Sequence, residues 1–309
     1  MKRKLLHIAA LFLCIGVNAQ SDSIKRPVVG DHTFTPVTQS NLPFTNTYFY
    51  MLTGIGQTTD LVHQLELLDG SKLIGLQGEV SFIDVKFAYQ QRVRDWLAVY
   101  IVFDLSARLG TELQSMLTQG ANTLTAFELG WHFKLLDRDK VALSTVAEIQ
   151  NLEGSFINIL GFVKDVINDH PYPSLSQKIP VLVFATGLRF AWGMSDLVGF
   201  KASSDFAYGE SYIRGENGFT MSASAGIDLN FYRKYSLPLG FAFSATITSL
   251  SDVVYTQDSY AKLLRAKIAY TKSPDFNLGI EVSYMKIPLF NQDKPPTAFS
   301  IALTSRFYF

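Results

Sequence analysis

From Leu97 onward the chain carries a period of two. Leu97, Val99, Ile101, Phe103, Leu105, Ala107 and Leu109 alternate with Ala98, Tyr100, Val102, Asp104, Ser106 and Arg108. Successive side chains of a strand point to opposite faces, so this pattern predicts a strand between an apolar and a mainly polar surrounding. Phe127, Leu129, Trp131, Phe133 and Leu135 against Glu128, Gly130, His132 and Lys134 repeat it, as do Leu182–Trp192, Phe219–Phe231, Leu239–Ile247 and Phe276–Tyr284. Leu73–Gln91 changes phase near Phe82 and Ile83, which predicts a bulge there. The first strand is expected over roughly Thr45–Gly56. Short connections rich in charge, Gly, Pro or Ser fall at Arg92–Asp95, Asp137–Lys140, Gly193–Asp196, Arg233–Pro238 and Lys272–Asp275. Long ones fall at Gln57–Lys72, Gly110–Thr123, Leu152–Lys178, Glu210–Gly218, Leu250–Tyr260 and Pro288–Pro296. Five short and six long links join about twelve strands, an even number, and their alternation predicts an all-β, antiparallel up-and-down transmembrane barrel with short periplasmic turns and long outer loops.

The stretch Ala298–Phe309 completes the pattern. Phe299, Ile301, Leu303, Phe307 and Phe309 take one face and Ser300, Ala302, Thr304, Arg306 and Tyr308 the other. This strand resembles the C-terminal insertion signal of bacterial outer-membrane β-barrel proteins. The resemblance implies that Phe307 and Phe309 are read by the barrel-assembly machinery and that the barrel sits in outer-membrane lipid. At the other end, Lys2, Arg3 and Lys4, the apolar Leu5–Val17 and the small residues before Gln20 read as a secretory signal peptide over 1–19. About thirteen apolar residues are fewer than the roughly 20 a spanning helix needs. Residues 20–44 are then a periplasmic or lumen-plugging segment and 45–309 the barrel. The one cysteine, Cys14, lies in the signal, so the mature chain has no thiol chemistry, disulfide or cysteine metal site.

Composition sharpens the class. The chain is 48% hydrophobic and 17% charged, yet after the signal no apolar run reaches helical-span length, which excludes a helical membrane protein. A formal net charge of zero offers nucleic acid no electrostatic footprint. There is no Gly-rich phosphate loop, and no cofactor is expected.

The polar face carries the candidate chemistry. Asp84, Asp104, Arg108, Glu128, His132, Glu148, Arg189, Lys201, Asp228, Arg265, Lys267, Glu281 and Arg306 are expected to point into the lumen. Centring each hairpin on its turn sets Asp84 opposite Asp104, Asp104 opposite Glu128, and Glu128 opposite Glu148. Four successive strands would then form an acidic row, facing a mostly basic set of Arg189, Lys201, Arg265, Lys267 and Arg306 interrupted by Asp205, Asp228 and Glu281. Two arrangements satisfy these charges: a closed interior in which acids bridge to bases, or a wet lumen with a transverse field that orients small solutes, as in porins.

Two loops show helical spacing. Glu112–Gln119 groups Leu113, Met116 and Leu117, and Ser155–Asn168 groups Phe156, Ile159, Leu160, Val163 and Ile167. Such faces would cap the mouth or constrict it, or pack as lids on their own loops. A greasy mouth, together with the Pro-containing Gln20–Phe44 (Pro27, Pro36, Pro43), is similar to the hydrophobic-compound transporters related to the long-chain fatty acid channel. That resemblance implies hydrophobic or amphipathic cargo and an N-terminal plug. Two alternatives are a barrel that binds partners through its loops without a pore, and an outer-membrane lipid hydrolase. For the latter the mature chain supplies His32, His63, His132 and His170 but no His-x-Ser motif. His132 is expected to find its partner in Glu128.

Overall fold

The computed structural model describes residues 27–37, 42–63, 76–110, 121–157, 176–210, 217–249, 260–273, 275–286 and 295–309. A small hairpin comes first, β1 (Val28–Val29) and β2 (His32–Thr33). Its tip is Gly30, at φ 57°, where a Cβ would meet the Asp139 carbonyl oxygen at 2.7 Å. Both the left-handed backbone and the close approach require glycine. Twelve long strands follow: β3 (Tyr48–His63), β4 (Leu76–Arg94), β5 (Leu97–Gly110), β6 (Ala121–Arg138), β7 (Val141–Ile157), β8 (Ser176–Gly193), β9 (Val198–Glu210), β10 (Asn217–Asn230), β11 (Leu239–Ser249), β12 (Tyr260–Tyr270), β13 (Phe276–Lys286) and β14 (Thr297–Tyr308). Each pairs antiparallel with its chain neighbour, and β14 pairs with β3 to close the barrel. One helical turn, α1 (Tyr232–Tyr235), interrupts the β10–β11 connection.

Closure satisfies the backbone of every strand and removes edges, which is what a sheet needs in hydrocarbon. The outer face is correspondingly apolar. Phe184, Ile227, Ile247, Ile280 and Leu303 are between 48% and 54% exposed, and their lumen-side neighbours Gly187, Asp228, Ser244, Glu281 and Thr304 are largely or wholly buried. Residues that would collapse in water are left outside because lipid is their solvent. The molecule is a membrane-spanning barrel of the outer-membrane type. Its short connections lie at one end, which is periplasmic in such barrels, and the segment before β3 enters from that end.

Three local expectations are corrected. The first strand runs over Tyr48–His63 rather than Thr45–Gly56. The side chains of Thr45 and Thr47 are engaged with the β4–β5 turn, the Thr45 hydroxyl donating to the Asp95 carbonyl at 3.1 Å and the Thr47 hydroxyl accepting from the Arg92 N–H at 3.1 Å. Strand β4 does not change phase at Phe82 and Ile83. Val80, Phe82, Asp84, Lys86, Ala88 and Gln90 all point inward, and the irregularity lies in its partner, between Thr58 and Leu61. Phe82 is an apolar side chain on the inner face, accommodated because Gly56 leaves its ring room: a Cβ there would meet the ring at 2.3 Å. Finally, Ser155–Ile157 is the end of β7, paired with Ser176–Lys178, so Phe156 stands on a strand and not on a helix. The remainder of that segment, with Ile159, Leu160 and Val163, lies outside the described residues, as do Leu113, Met116 and Leu117.

The two faces can be told apart directly. Single cysteines at Phe103, Trp131, Ile247 and Ile280 are expected to resist a membrane-impermeant thiol reagent in vesicles, while one at Asp104 labels. Equal labelling of the two sets would mean that the strand phase is wrong.

Candidate functional site

The interior divides by height. In the periplasmic half it is filled. Residues 27–37 and 42–47 enter the barrel, and Val29, Phe34 and Leu42 pack with Ala142 and Ala191 of β7 and β8. Polar side chains of the wall hold the backbone of this segment. Asp228, wholly buried on β10, accepts from the Thr35 N–H at 2.8 Å and lies 2.9 Å from His32 Nε2. The other ring nitrogen of His32 faces the Asp196 carbonyl at 3.2 Å, so both face oxygen acceptors. Asn230 donates to the Thr33 carbonyl (2.9 Å), Lys267 Nζ to the Pro36 carbonyl (2.8 Å), and Gln90 Nε2 to the carbonyls of Phe44 (2.9 Å) and Asn46 (2.8 Å). Beyond the short β1–β2 hairpin the segment has no ladder of its own among the described residues, and its backbone needs such acceptors and donors to be buried at all.

A polar network adjoins it, with His132 and Arg306 lining the same crevice as Pro27, Leu42 and Phe44. The Arg306 guanidinium sits 4.3 Å from the Tyr48 ring and 5.0 Å from that of Tyr50, an aromatic clamp on a buried cation. Tyr100 donates to Glu148 at 2.5 Å and Gln150 Nε2 to the same carboxylate at 2.8 Å. Arg189 pairs with Asp205 at 2.5 Å. His132 bonds to Ser144 at 2.6 Å rather than to Glu128. The correction is geometric: Glu128 is four residues along the same strand, whereas Ser144 projects from β7 within reach. With Ser144 fully buried, this His–Ser pair has no access for a lipid or ester.

In the extracellular half a cavity of about 310 Å3 opens between β3–β7 on one side and β12–β14 on the other. Its ionisable lining is Asp84, Lys86, Asp104, Arg108, Arg265 and Glu281. Lys86 pairs with Asp104 at 2.5 Å, and Arg265 Nε approaches Glu281 at 3.7 Å. Three acids and three bases leave it balanced.

The expected acidic row is therefore corrected. Asp84 lies opposite Ser106, Asp104 opposite Lys86 and Ala126, Glu128 opposite Val102 and Gln150, and Glu148 opposite Gly130. Each step is two residues off the turn-centred register. The two turns begin at Asp95 and Asp139, three and two residues later than composition suggested, and the shifts at Arg92/Arg94 and Lys134/Leu136 take back only one residue each, while across the long β5–β6 loop the partner falls two residues earlier than expected. The acids stand on the inner face in a diagonal stagger, with Lys86 and Arg189 interleaved. Lys86 was hidden by the supposed phase change at Phe82, and an unbroken period of two through β4 would have revealed it. At the closing strand, Phe307 packs on Phe276 with ring centroids 4.8 Å apart and Phe309 is exposed, its N–H donating to Thr47 at 3.2 Å.

No protein-family model and no curated protein sequence matches the chain. Among solved structures it is similar to an outer membrane channel from Pseudomonas putida F1, at 10% identity over 87% of this chain and 97% of that one with a TM-score of 0.54. It is less similar to the P. putida toluene transporter TodX (10% identity, 87% and 93% covered, TM-score 0.48) and to the translocator domain of the autotransporter NalP from Neisseria meningitidis (10%, 87% and 90%, 0.48). At these identities the likeness concerns the barrel fold.

Proposed function

We propose that the protein is an outer-membrane channel for small polar or amphipathic solutes, with the extracellular cavity as its vestibule and residues 27–37 and 42–47 as a plug at the periplasmic end. The observation that carries this reading is the asymmetry of the lumen. One half is roomy and lined with charge, and the other is shut by a segment that holds on through side-chain-to-backbone hydrogen bonds. The neutral bonds among these are worth about 0.5–1.5 kcal/mol net each and can be exchanged for water as the segment withdraws, with the buried Asp228 as the strongest single hold on it. An enzyme is not the reading the lumen favours, since the one Ser–His contact among the described residues, His132 with Ser144, is buried. The outer membrane channel of the same fold is consistent with this role. A signal peptide over 1–19 and recognition of Phe307 and Phe309 by the assembly machinery belong to the same proposal.

Liposome swelling tests it. Vesicles holding the protein are expected to swell in small zwitterionic and amphipathic solutes faster than empty vesicles, and swelling no faster than in empty vesicles would favour the poreless scaffold, which the well-bonded plug also suits. A second expectation concerns selectivity. Asp104→Asn with Glu281→Gln removes two of the three acids from the vestibule, so reversal potentials should move toward anion preference. The shift should shrink in 1 M salt, where the Debye length is about 3 Å.

A further inference from the structure

On the β9–β14 side one register row reads Lys201, Gly226, Ser244, Arg265, Ser283, Ser300, one residue from each of six neighbouring strands. All but the glycine carry hydrogen-bond donors. Lys201 is only 3% exposed. Its stem is laid across Gly226, where a Cβ would meet both Lys201 Cε at 2.9 Å and Ser244 Cβ at 3.1 Å, which brings the end of the lysine over β10 beside Ser244. Among the described residues that ammonium makes no hydrogen bond and no ion pair. Asp228 and Glu281 are near enough to act on it electrostatically, but their bonds go to other groups. Asp228 holds His32 and the Thr35 N–H, and Glu281 faces Arg265 Nε. Lys267, whose stem crosses Gly279 in the same manner, has committed its ammonium to Pro36. Arg265 uses only Nε in its contact, at 3.7 Å, and lines the cavity together with Ser283 and Ser300.

We propose that the row from Lys201 to Ser283 is a binding site for a compact oxyanion that enters from the extracellular cavity, with Arg265 and Ser283 on the cavity wall supplying a guanidinium and a hydroxyl donor and the buried Lys201 and Ser244, next in the row behind that wall, supplying the second charge and hydroxyl. A buried ammonium without a partner is costly, and a planar guanidinium with free terminal nitrogens matches carboxylate and phosphate oxygens. The cavity has the volume of about ten waters, enough for a small anion with an organic remainder against Leu52 and Ala302. The site deepens the channel reading by naming the solute class. Binding is measured without conduction, so either idea can fail alone.

The test is equilibrium dialysis of the full-length chain in detergent against inorganic phosphate, at fixed ionic strength in chloride. One saturable site per chain is expected. Lys201→Met and Arg265→Gln should each weaken it by about tenfold or more, the loss of one charge-assisted hydrogen bond, whereas Lys134→Gln at the periplasmic end of β6 should leave it unchanged. Folding of each variant is checked by heat-modifiable mobility. If Lys201→Met does not fold, Ser244→Ala decides, with a severalfold weaker site expected. Absence of saturable phosphate binding by the wild-type protein, or wild-type affinity in the folded Lys201 or Ser244 variant, overturns the proposal.

Discussion

Asp228→Ala is expected to loosen the N-terminal segment and lower stability by about 3 to 5 kcal/mol, the usual cost of breaking a fully buried pair. The carboxylate is wholly buried and answers two groups at once, the His32 ring and the Thr35 N–H. Removing it leaves the buried Thr35 N–H without its acceptor and His32 Nε2 without its partner, the ring keeping only the Asp196 carbonyl on its other nitrogen, and the unmet group, more than the lost bond, sets the size of the effect. Asp228→Asn keeps one acceptor oxygen and should lose distinctly less. Urea midpoints of the three proteins give the order, and limited proteolysis reports whether 27–37 and 42–47 have left the lumen. Wild-type stability and protection in Asp228→Ala would mean that the segment is held by its apolar contacts to Ala142 and Ala191 instead.

The second large effect belongs to the outer face. Arg in place of Phe103 or Ile280, both well exposed at mid-strand, should cost roughly 2 to 4 kcal/mol, as charges at the bilayer midplane of barrels do. Arg at Tyr260 or Tyr284, nearer the strand ends on the extracellular side, should cost less, about 0 to 1 kcal/mol near the interface. Reversible unfolding from lipid vesicles measures both. A flat response with height would contradict the placement of the membrane.

How much of this was legible in the sequence depends on which physical constraint wrote it. Strand faces were, because a period of two cannot be satisfied by a helix and a lipid-facing row cannot tolerate charge; Phe103 beside Asp104 is unambiguous for that reason. Strand number followed from turn composition. Register was not legible. Turn residues mark a connection to within a few residues, and an error of one in a turn centre displaces the partner by two, enough to turn the Lys86–Asp104 pair into an Asp84–Asp104 clash. The plug's contacts were also out of reach. His32 and Asp228 are 196 residues apart, and a segment with no period of its own leaves no pattern to pair with the wall. The Lys201 row belongs to the same class, since six strands contribute to it and only their mutual register brings Gly226 under the lysine stem.

The most direct test of the channel with a reversible plug is a tether. The sequence has no cysteine beyond Cys14, and a Cβ at Gly240 would lie 2.5 Å from Thr35 Oγ1, so Thr35→Cys with Gly240→Cys places two thiols within disulfide reach. In a planar bilayer the oxidised protein should be silent, and reduction in place should restore the conductance of the wild-type protein. Equal conductance before and after reduction, with the disulfide verified, would contradict a plug that must move, and silence of the wild-type protein under every condition would contradict the channel itself.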